Sequence, residues 1–550
     1  MTFRNNENSN AINKHIIIMC LIITFVQALI ILYWGSRKEN LYWDEFYTLE
    51  RAHYISASNE SEHYIDNDKD FKVGEWMPVS FVKDTLIVGA EETLFNEPVA
   101  TVLRKLTHAY NYSGFLNLFE SCLSLGRFSI WPSIILNICF WMMNQIVLFA
   151  LCKRLSANPT FPVAVCMLYG FSSMCISMTI FIRFYMYVTF LITLFTYLHF
   201  LYFDSDGDAL SARTKRLAFL VLSFGVLYLA YTNAQYSVIY GSAFVIGFAV
   251  LLLIGKGLRR FLYYSVPMFL GGFIYLYTQT EYISILFDFK NANSISGAAI
   301  GYAIDEISGF KLEYIPVRII DMLHIIGRYL FGSYFAMILF AVIIIIAMML
   351  HRTRAFNGDK KDTFSVFSIV PSIASILFIV FFTVFGLYEQ VRYISFVFPE
   401  LALLAMLMAY NSISTKKYKC TLIASMILVC ALTVNVRGKV DMLYTGDKES
   451  IERIRGYGAD SYVLCTGNHI TFMTYEAAVV AENDDEFYVY NDIDDGALDK
   501  LSDNIRDKMI VVNYHGESAE DVHNMLKEKG YKVDWIADTY KYVFYTAVCD

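Results

Sequence analysis

The stretch Tyr42-Trp43-Asp44-Glu45-Phe46-Tyr47-Thr48 sets two adjacent carboxylates among aromatic side chains, a few residues beyond an apolar run from His15 to Trp34. That run is long enough to cross a bilayer, for which about 20 residues are needed. An acid pair held just outside a membrane suits a substrate whose tail lies in the lipid. In glycosyl transfer an acceptor hydroxyl must lose its proton as it attacks the anomeric carbon, and a carboxylate within hydrogen-bond reach can take it. The plainer alternative is a pair of solvated acids next to a helix end.

Other candidates recur at the ends of apolar runs. Arg183 and Tyr185 lie in Phe181-Ile182-Arg183-Phe184-Tyr185-Met186-Tyr187, and Arg392 and Tyr393 in Tyr388-Glu389-Gln390-Val391-Arg392-Tyr393. A guanidinium binds phosphate oxygens bidentately, so each arginine is a candidate for a leaving phosphate. Each also reads as a snorkelling arginine with aromatic anchors. Thr232 falls in Tyr231-Thr232-Asn233-Ala234-Gln235, a polar turn. His108 falls in Leu106-Thr107-His108-Ala109-Tyr110 without a partner at metal-ligand spacing.

The elements that must position these residues are mostly membrane helices. The 550 residues are 56% apolar and only 17% charged, well below the roughly 25% charged of a soluble domain, so the chain reads as a polytopic membrane protein. The first apolar run exceeds a signal-peptide core of about 7–15 residues and lacks a small-x-small cleavage site, so it reads as a retained helix. Eleven runs could span: 15–34, 132–151, 161–181, 184–203, 217–231, 236–254, 261–280, 329–350, 364–386, 394–410 and 420–436. Lys and Arg gather in alternate short loops, at Lys153-Arg154, Arg213 to Arg216, Lys256 to Arg260, Arg352 to Lys361 and Lys416 to Lys419. The positive-inside rule then puts the N-terminus in the cytoplasm and every candidate residue on the outer side.

Three parts follow: a cytoplasmic tail 1–14, a transmembrane module 15–436 with a large first extracytoplasmic loop over 35–131, and an extracytoplasmic segment 437–550. In the first loop, Phe115–Leu125 reads as a helix lying in the membrane interface. The last segment alternates strand-like runs (Ser461–Cys465, Phe487–Tyr490, Met509–Tyr514, Tyr542–Val548) with helix-like ones, one of them from Ser518 to Gly530, and so reads as a small α/β domain. It holds 12 Lys and Arg against 23 Asp and Glu, net −11, which leaves about +3 for the rest of a chain whose total is −8. That acidity argues against nucleic acid as a partner. The cysteines show no metal-ligand spacing, no cofactor is expected, and a divalent metal has no support from ligand spacing; Cys465 and Cys549 could pair in an oxidising compartment.

In order and spacing these pieces resemble the GT-C-fold integral membrane glycosyltransferases, specifically bacterial relatives of protein O-mannosyltransferases and the lipid A aminoarabinose transferase. The matching pieces are Asp44-Glu45 after the first helix, Lys153-Arg154-Leu155, Phe181 to Met186, Tyr231-Thr232, and Arg392-Tyr393 followed by Phe398-Pro399, spread over roughly residues 15–411. The resemblance implies a GT-C-like fold of about eleven transmembrane helices in the plasma membrane. It implies transfer of a sugar from a polyprenyl-phosphate-linked donor to an extracytoplasmic acceptor (a cell-envelope glycan, lipid or protein), with inversion at the anomeric carbon. Asp44 would be the base and Glu45 its companion. Arg183, Tyr185, Arg392 and Tyr393 would hold donor phosphate, and His108 and Thr232 are possible substrate contacts. Many relatives carry an Asp-x-His-Pro-Pro-like element late in the first loop; here Leu106-Thr107-His108-Ala109-Tyr110 lacks the acid and both prolines.

Two alternatives stand beside the transferase. A transporter or flippase of lipid-linked sugars would show pseudo-repeats and charges near the bilayer centre, and neither is seen. A catalytically divergent, non-enzymatic relative is the other, given the altered 106–110 element.

Overall fold

The structure is a computed structural model. It describes residues 3–55, 74–107, 111–124, 127–204, 210–278, 312–354, 365–384, 391–413, 416–465, 470–490, 497–514 and 520–549. The chain divides into two compact units, one of Met1–Leu32, Asn137–Thr179 and Phe184–Val440, the other of Tyr33–Leu136, Ile180–Arg183 and Asp441–Asp550.

The first unit is helical. Among the described residues of the whole chain, eight helices are long and apolar enough to cross a membrane, or up to ten if two bent pairs each count as one span. Ten of the eleven expected runs fall on these. The remaining run, 261–280, also falls on a helix, Leu258–Thr278, with Pro267 inside it, but it is not among those spans. The 161–181 run is two helices, Phe161–Gly170 and Ser173–Ile180, bent by 57°. The run expected over 329–350 starts earlier, at Ile315, and turns by 86° at a break between Phe331 and Tyr334. Gly332 in that break has φ +81°, a left-handed conformation that glycine adopts without a Cβ penalty. The core is aromatic. Phe195, Phe244, Phe248 and Tyr264 pack around His199, and Phe367 packs on Phe244 and Phe248; His199 Nε2 lies 2.9 Å from the Tyr264 hydroxyl and its Nδ1 2.8 Å from the Phe195 carbonyl.

The second unit centres on a six-stranded mixed sheet: β1 (Trp76–Pro78), β2 (Ser461–Cys465), β3 (Glu486–Tyr490), β4 (Lys508–Tyr514), β5 (Tyr531–Asp538) and β6 (Tyr542–Cys549), in the order β1-β3-β2-β4-β6-β5. β2 runs parallel to both β3 and β4, with helices in the connections; β5 and β6 form an antiparallel hairpin. The buried parallel strands read as continuous apolar runs, which is why they stand out in the sequence.

Three expectations need correction here. The segment 437–550 does not stand alone: β1, from the first loop, pairs with β3, and Glu39 N–H donates to the Leu443 carbonyl at 2.8 Å. Loop and tail are one unit because each supplies backbone partners that the other needs. Secondly, the expected interfacial helix is Asn111–Leu123, and it buries its face within this unit against the Trp43–Tyr54 helix. Its Asn117 is fully buried and bonded to Leu94 N–H and to the Ala52 and Glu92 carbonyls. Its packing face thus makes a polar core contact inside the unit. Thirdly, Cys465 and Cys549 are both free; β4 lies between their strands, with Cys465 opposite Asn513 at one end and Cys549 bonded to Asp507 at the other.

Candidate functional site

Asp44 and Glu45 occupy the first turn of the Trp43–Tyr54 helix, where carboxylates complement the exposed N–H groups and the helix dipole. Their environments differ. Glu45 is fully buried and saturated: Oε2 accepts from Lys38 Nζ at 3.0 Å and from Tyr42 N–H at 2.6 Å, and Oε1 accepts from Ile182 N–H at 2.7 Å. Lys38 also donates to the Met442 carbonyl at 2.7 Å. Burial pushes the Glu45 carboxyl up, and the Lys38 charge and the two N–H groups pull it back; burial pushes the Lys38 ammonium down, against the Glu45 charge. Glu45 thereby joins three separate segments, at residues 38–42, 182 and, through Lys38, 442.

Asp44 keeps a quarter of its side chain exposed. Its Oδ1 lies 3.9 Å from Arg183 Nη2, an ion pair longer than a hydrogen bond. Arg183 Nη1 donates at 3.0 Å to both the Asp44 carbonyl and Thr48 Oγ1, and Thr48 in turn donates to the Asp44 carbonyl at 2.8 Å. Residues 180–183 belong to this unit, so Asp44, Glu45 and Arg183 are brought together across 139 residues of chain.

Asn40 donates to Asp447 Oδ2 at 2.8 Å, and Glu39 Oε2 accepts from Gly446 N–H at 2.7 Å. The loop before the acid pair is therefore fixed by the start of the tail. These partners, with Lys38, escaped the sequence reading; an acid-base set at 38–45 facing one at 441–448 was the available signal.

In the helical unit Tyr185 is buried, with its ring 6.5 Å from that of Tyr393; Tyr236 lies 5.0 Å from Tyr393, and the Arg392 guanidinium sits 5.4 Å from the Tyr393 centroid. Thr232 donates its hydroxyl to the Leu229 carbonyl of its own helix at 3.0 Å. His108 lies outside the described residues. An apolar cavity of about 360 Å³ opens among the Leu210–Asn233, Ser237–Lys256 and Leu258–Thr278 helices, lined by Phe224, Tyr228, Tyr231, Phe269 and Phe273 among others. Among the described residues no group of three or more His, Cys, Asp and Glu is placed to hold a metal ion.

The fold is that of GT-C membrane glycosyltransferases: a multi-pass helical bundle with a small sheet-containing unit. The crystal structure of ArnT from Cupriavidus metallidurans bound to undecaprenyl phosphate matches with a TM-score of 0.50 and 10% identity, over 96% of this chain and 97% of that one. The same protein in the apo state gives 0.47 and 12%, with equal coverage. The archaeal oligosaccharyltransferase AglB from Archaeoglobus fulgidus, in complex with an inhibitory peptide and a dolichol-phosphate, gives 0.44 and 8% over 94% of this chain and 73% of that one. No family model matches the sequence, and no curated protein matches it. Identities this low bear on the fold, not on the reaction.

Proposed function

We propose that this protein is an inverting membrane glycosyltransferase that moves a sugar from a polyprenyl-phosphate donor to an extracytoplasmic acceptor, with Asp44 as the general base. The observation that carries this reading is Asp44 itself: a partly exposed carboxylate in the first turn of a helix, backed by a buried ion pair and flanked by Arg183, in a chain with the GT-C fold. In the proposed step the Asp44 carboxylate takes the proton of an acceptor hydroxyl. The hydroxyl oxygen bonds to the anomeric carbon, and the bond from that carbon to the phosphate oxygen breaks, its electron pair leaving on polyprenyl phosphate. Arg183, Tyr185, Arg392 and Tyr393 are the candidates for binding the donor phosphate. Glu45, fully buried, acts by holding the first turn of the helix. His108 and Thr232 remain candidates for substrate contact. The apolar, aromatic cavity of the helical unit suits part of a polyprenyl chain.

The test is to incubate the purified protein with a panel of radiolabelled polyprenyl-phosphate sugars and follow release of polyprenyl phosphate. Release from at least one donor is expected, and none from any donor contradicts the reading. The site must also face outward. We place the N-terminus in the cytoplasm and residues 437–550 outside, from the Lys and Arg asymmetry. With the exposed Cys122, Cys420 and Cys549 replaced by serine, a cysteine at Lys532 should react with an impermeant maleimide on intact cells; reaction only after permeabilisation reverses the orientation.

A further inference from the structure

The β5–β6 hairpin turns at Thr539 to Lys541, closed by Thr539 N–H donating to the Tyr542 carbonyl at 2.8 Å. Lys541 Nζ lies 3.2 Å from the centroid of the Trp43 ring, 5.0 Å from that of Tyr42 and 5.7 Å from that of Tyr540. The surrounding rings continue the cluster. Trp43 is 6.0 Å from Tyr514 at the end of β4, Tyr42 stacks on Tyr444 at 6.4 Å, and Tyr444 is 5.0 Å from Tyr540. Tyr444 and Met442 hold φ of +52° and +65°, conformations that disfavour side chains with a Cβ and persist only where the surroundings impose them. Parts of the chain some 500 residues apart therefore close on Trp43, the residue before Asp44.

A cation at a helix N-terminus opposes the helix dipole. The indole and phenol faces supply the attraction that outweighs this, since an ammonium within about 6 Å of an aromatic face is held by the ring quadrupole, best by Trp. We infer that Lys541 is a positioning residue for Asp44: its ammonium, gripped by Trp43, Tyr42 and Tyr540, ties the tip of the C-terminal hairpin to the first turn of the Asp44 helix and fixes the direction of the carboxylate. This rests on Asp44 being the base. It makes the C-terminal sheet part of the catalytic architecture.

The experiment compares Lys541→Met, which keeps the stem and removes the charge, with Lys541→Arg, which keeps a cation able to stack on the rings. In the full-length protein, Lys541→Met should lower kcat for donor turnover about ten-fold with donor KM within about two-fold, and Lys541→Arg should restore most of it. Hydrogen exchange of the peptide covering residues 42–48, read by mass spectrometry, should quicken in the Met variant and not in the Arg variant. Equal kcat in wild type and Lys541→Met, or equal exchange, overturns the inference. Should wild type turn over no donor at all, the glycosyltransferase reading falls, and the exchange comparison alone decides whether Lys541 holds the helix.

Discussion

Arg183 and Arg392 look alike along the chain. Each stands at the end of an apolar run, next to aromatic residues. Their folded surroundings differ. Arg183 lies in the sheet-containing unit and is bound into the acid pair, donating to the Asp44 carbonyl and to Thr48 with Asp44 Oδ1 at 3.9 Å. Arg392 lies in the helical unit, with its guanidinium over the Tyr393 ring. Residue type and position singled out both; what each guanidinium touches came only from the fold. The same division runs through the adjacent acids. Glu45 is spent on three donors inside the protein, whereas Asp44 keeps an exposed edge.

The comparison can be broken at several points. The largest stability effect is expected at Glu45. Glu45→Ala strands Lys38 as a buried unpaired charge and should destabilise the sheet-containing unit by about 3–5 kcal/mol. Glu45→Gln should cost less, because the amide oxygen still accepts from Tyr42 or Ile182. Thermal unfolding of the detergent-solubilised protein checks both, and an unchanged Tm in Glu45→Ala would remove Glu45 from the framework.

Next come the two arginines. Arg183→Ala should lower donor turnover by roughly 10–100-fold, as loss of charged hydrogen bonds does, with Lys a poor substitute for the planar fork. Arg392→Ala should cost about ten-fold or less. Kinetics against donor concentration separate them. Equal losses in both would erase the distinction, and no loss in either would assign both to membrane anchoring.

A smaller effect concerns pH. Glu120 is buried in the Asn111–Leu123 helix with the Ser133 hydroxyl beside it at 3.4 Å, and burial pushes its carboxyl up to about 8. Its folded value therefore exceeds its unfolded one, so the native state binds the extra proton and stability falls as pH rises from about 4.5 to about 8. Glu120→Gln should raise Tm at pH 9 by about 2 °C or more and change it little at pH 5. A Tm gain equal at both pH values would mean that Glu120 does not titrate in this window. The smallest change is expected for Thr232→Val: its hydroxyl bonds within its own helix, so turnover should stay within about two-fold of wild type. A larger loss would return Thr232 to the substrate.

What the sequence disclosed follows physical lines. β2 and β4 were legible as apolar runs because strands buried on both faces carry little else. β5, Tyr531–Asp538, was not, because it is an edge strand with Lys532, Asp534 and Trp535 turned to solvent. β1 is three residues long, too short for a periodicity to register. The break in the 161–181 run passed unseen, since hydropathy measures length and not direction. Asp44, Arg183 and Arg392 were singled out as candidates from residue type and position. The Lys38–Glu45 pair was not found, because the one signal for it, an acid-base set at 38–45 facing one at 441–448, lies in two segments some 400 residues apart. Nor was the grip of Lys541 on Trp43, which depends on a contact spanning almost the whole chain.

The most direct measurement is donor turnover by Asp44→Asn, with stability and donor binding measured on the same preparation. The substitution keeps the shape of the side chain and removes the base. Turnover should fall by about 10²–10⁴-fold, the usual cost of losing a general base, while Tm and donor affinity stay near wild type. Turnover at the wild-type rate by a folded Asp44→Asn protein would contradict the assignment of Asp44 and the mechanism built on it.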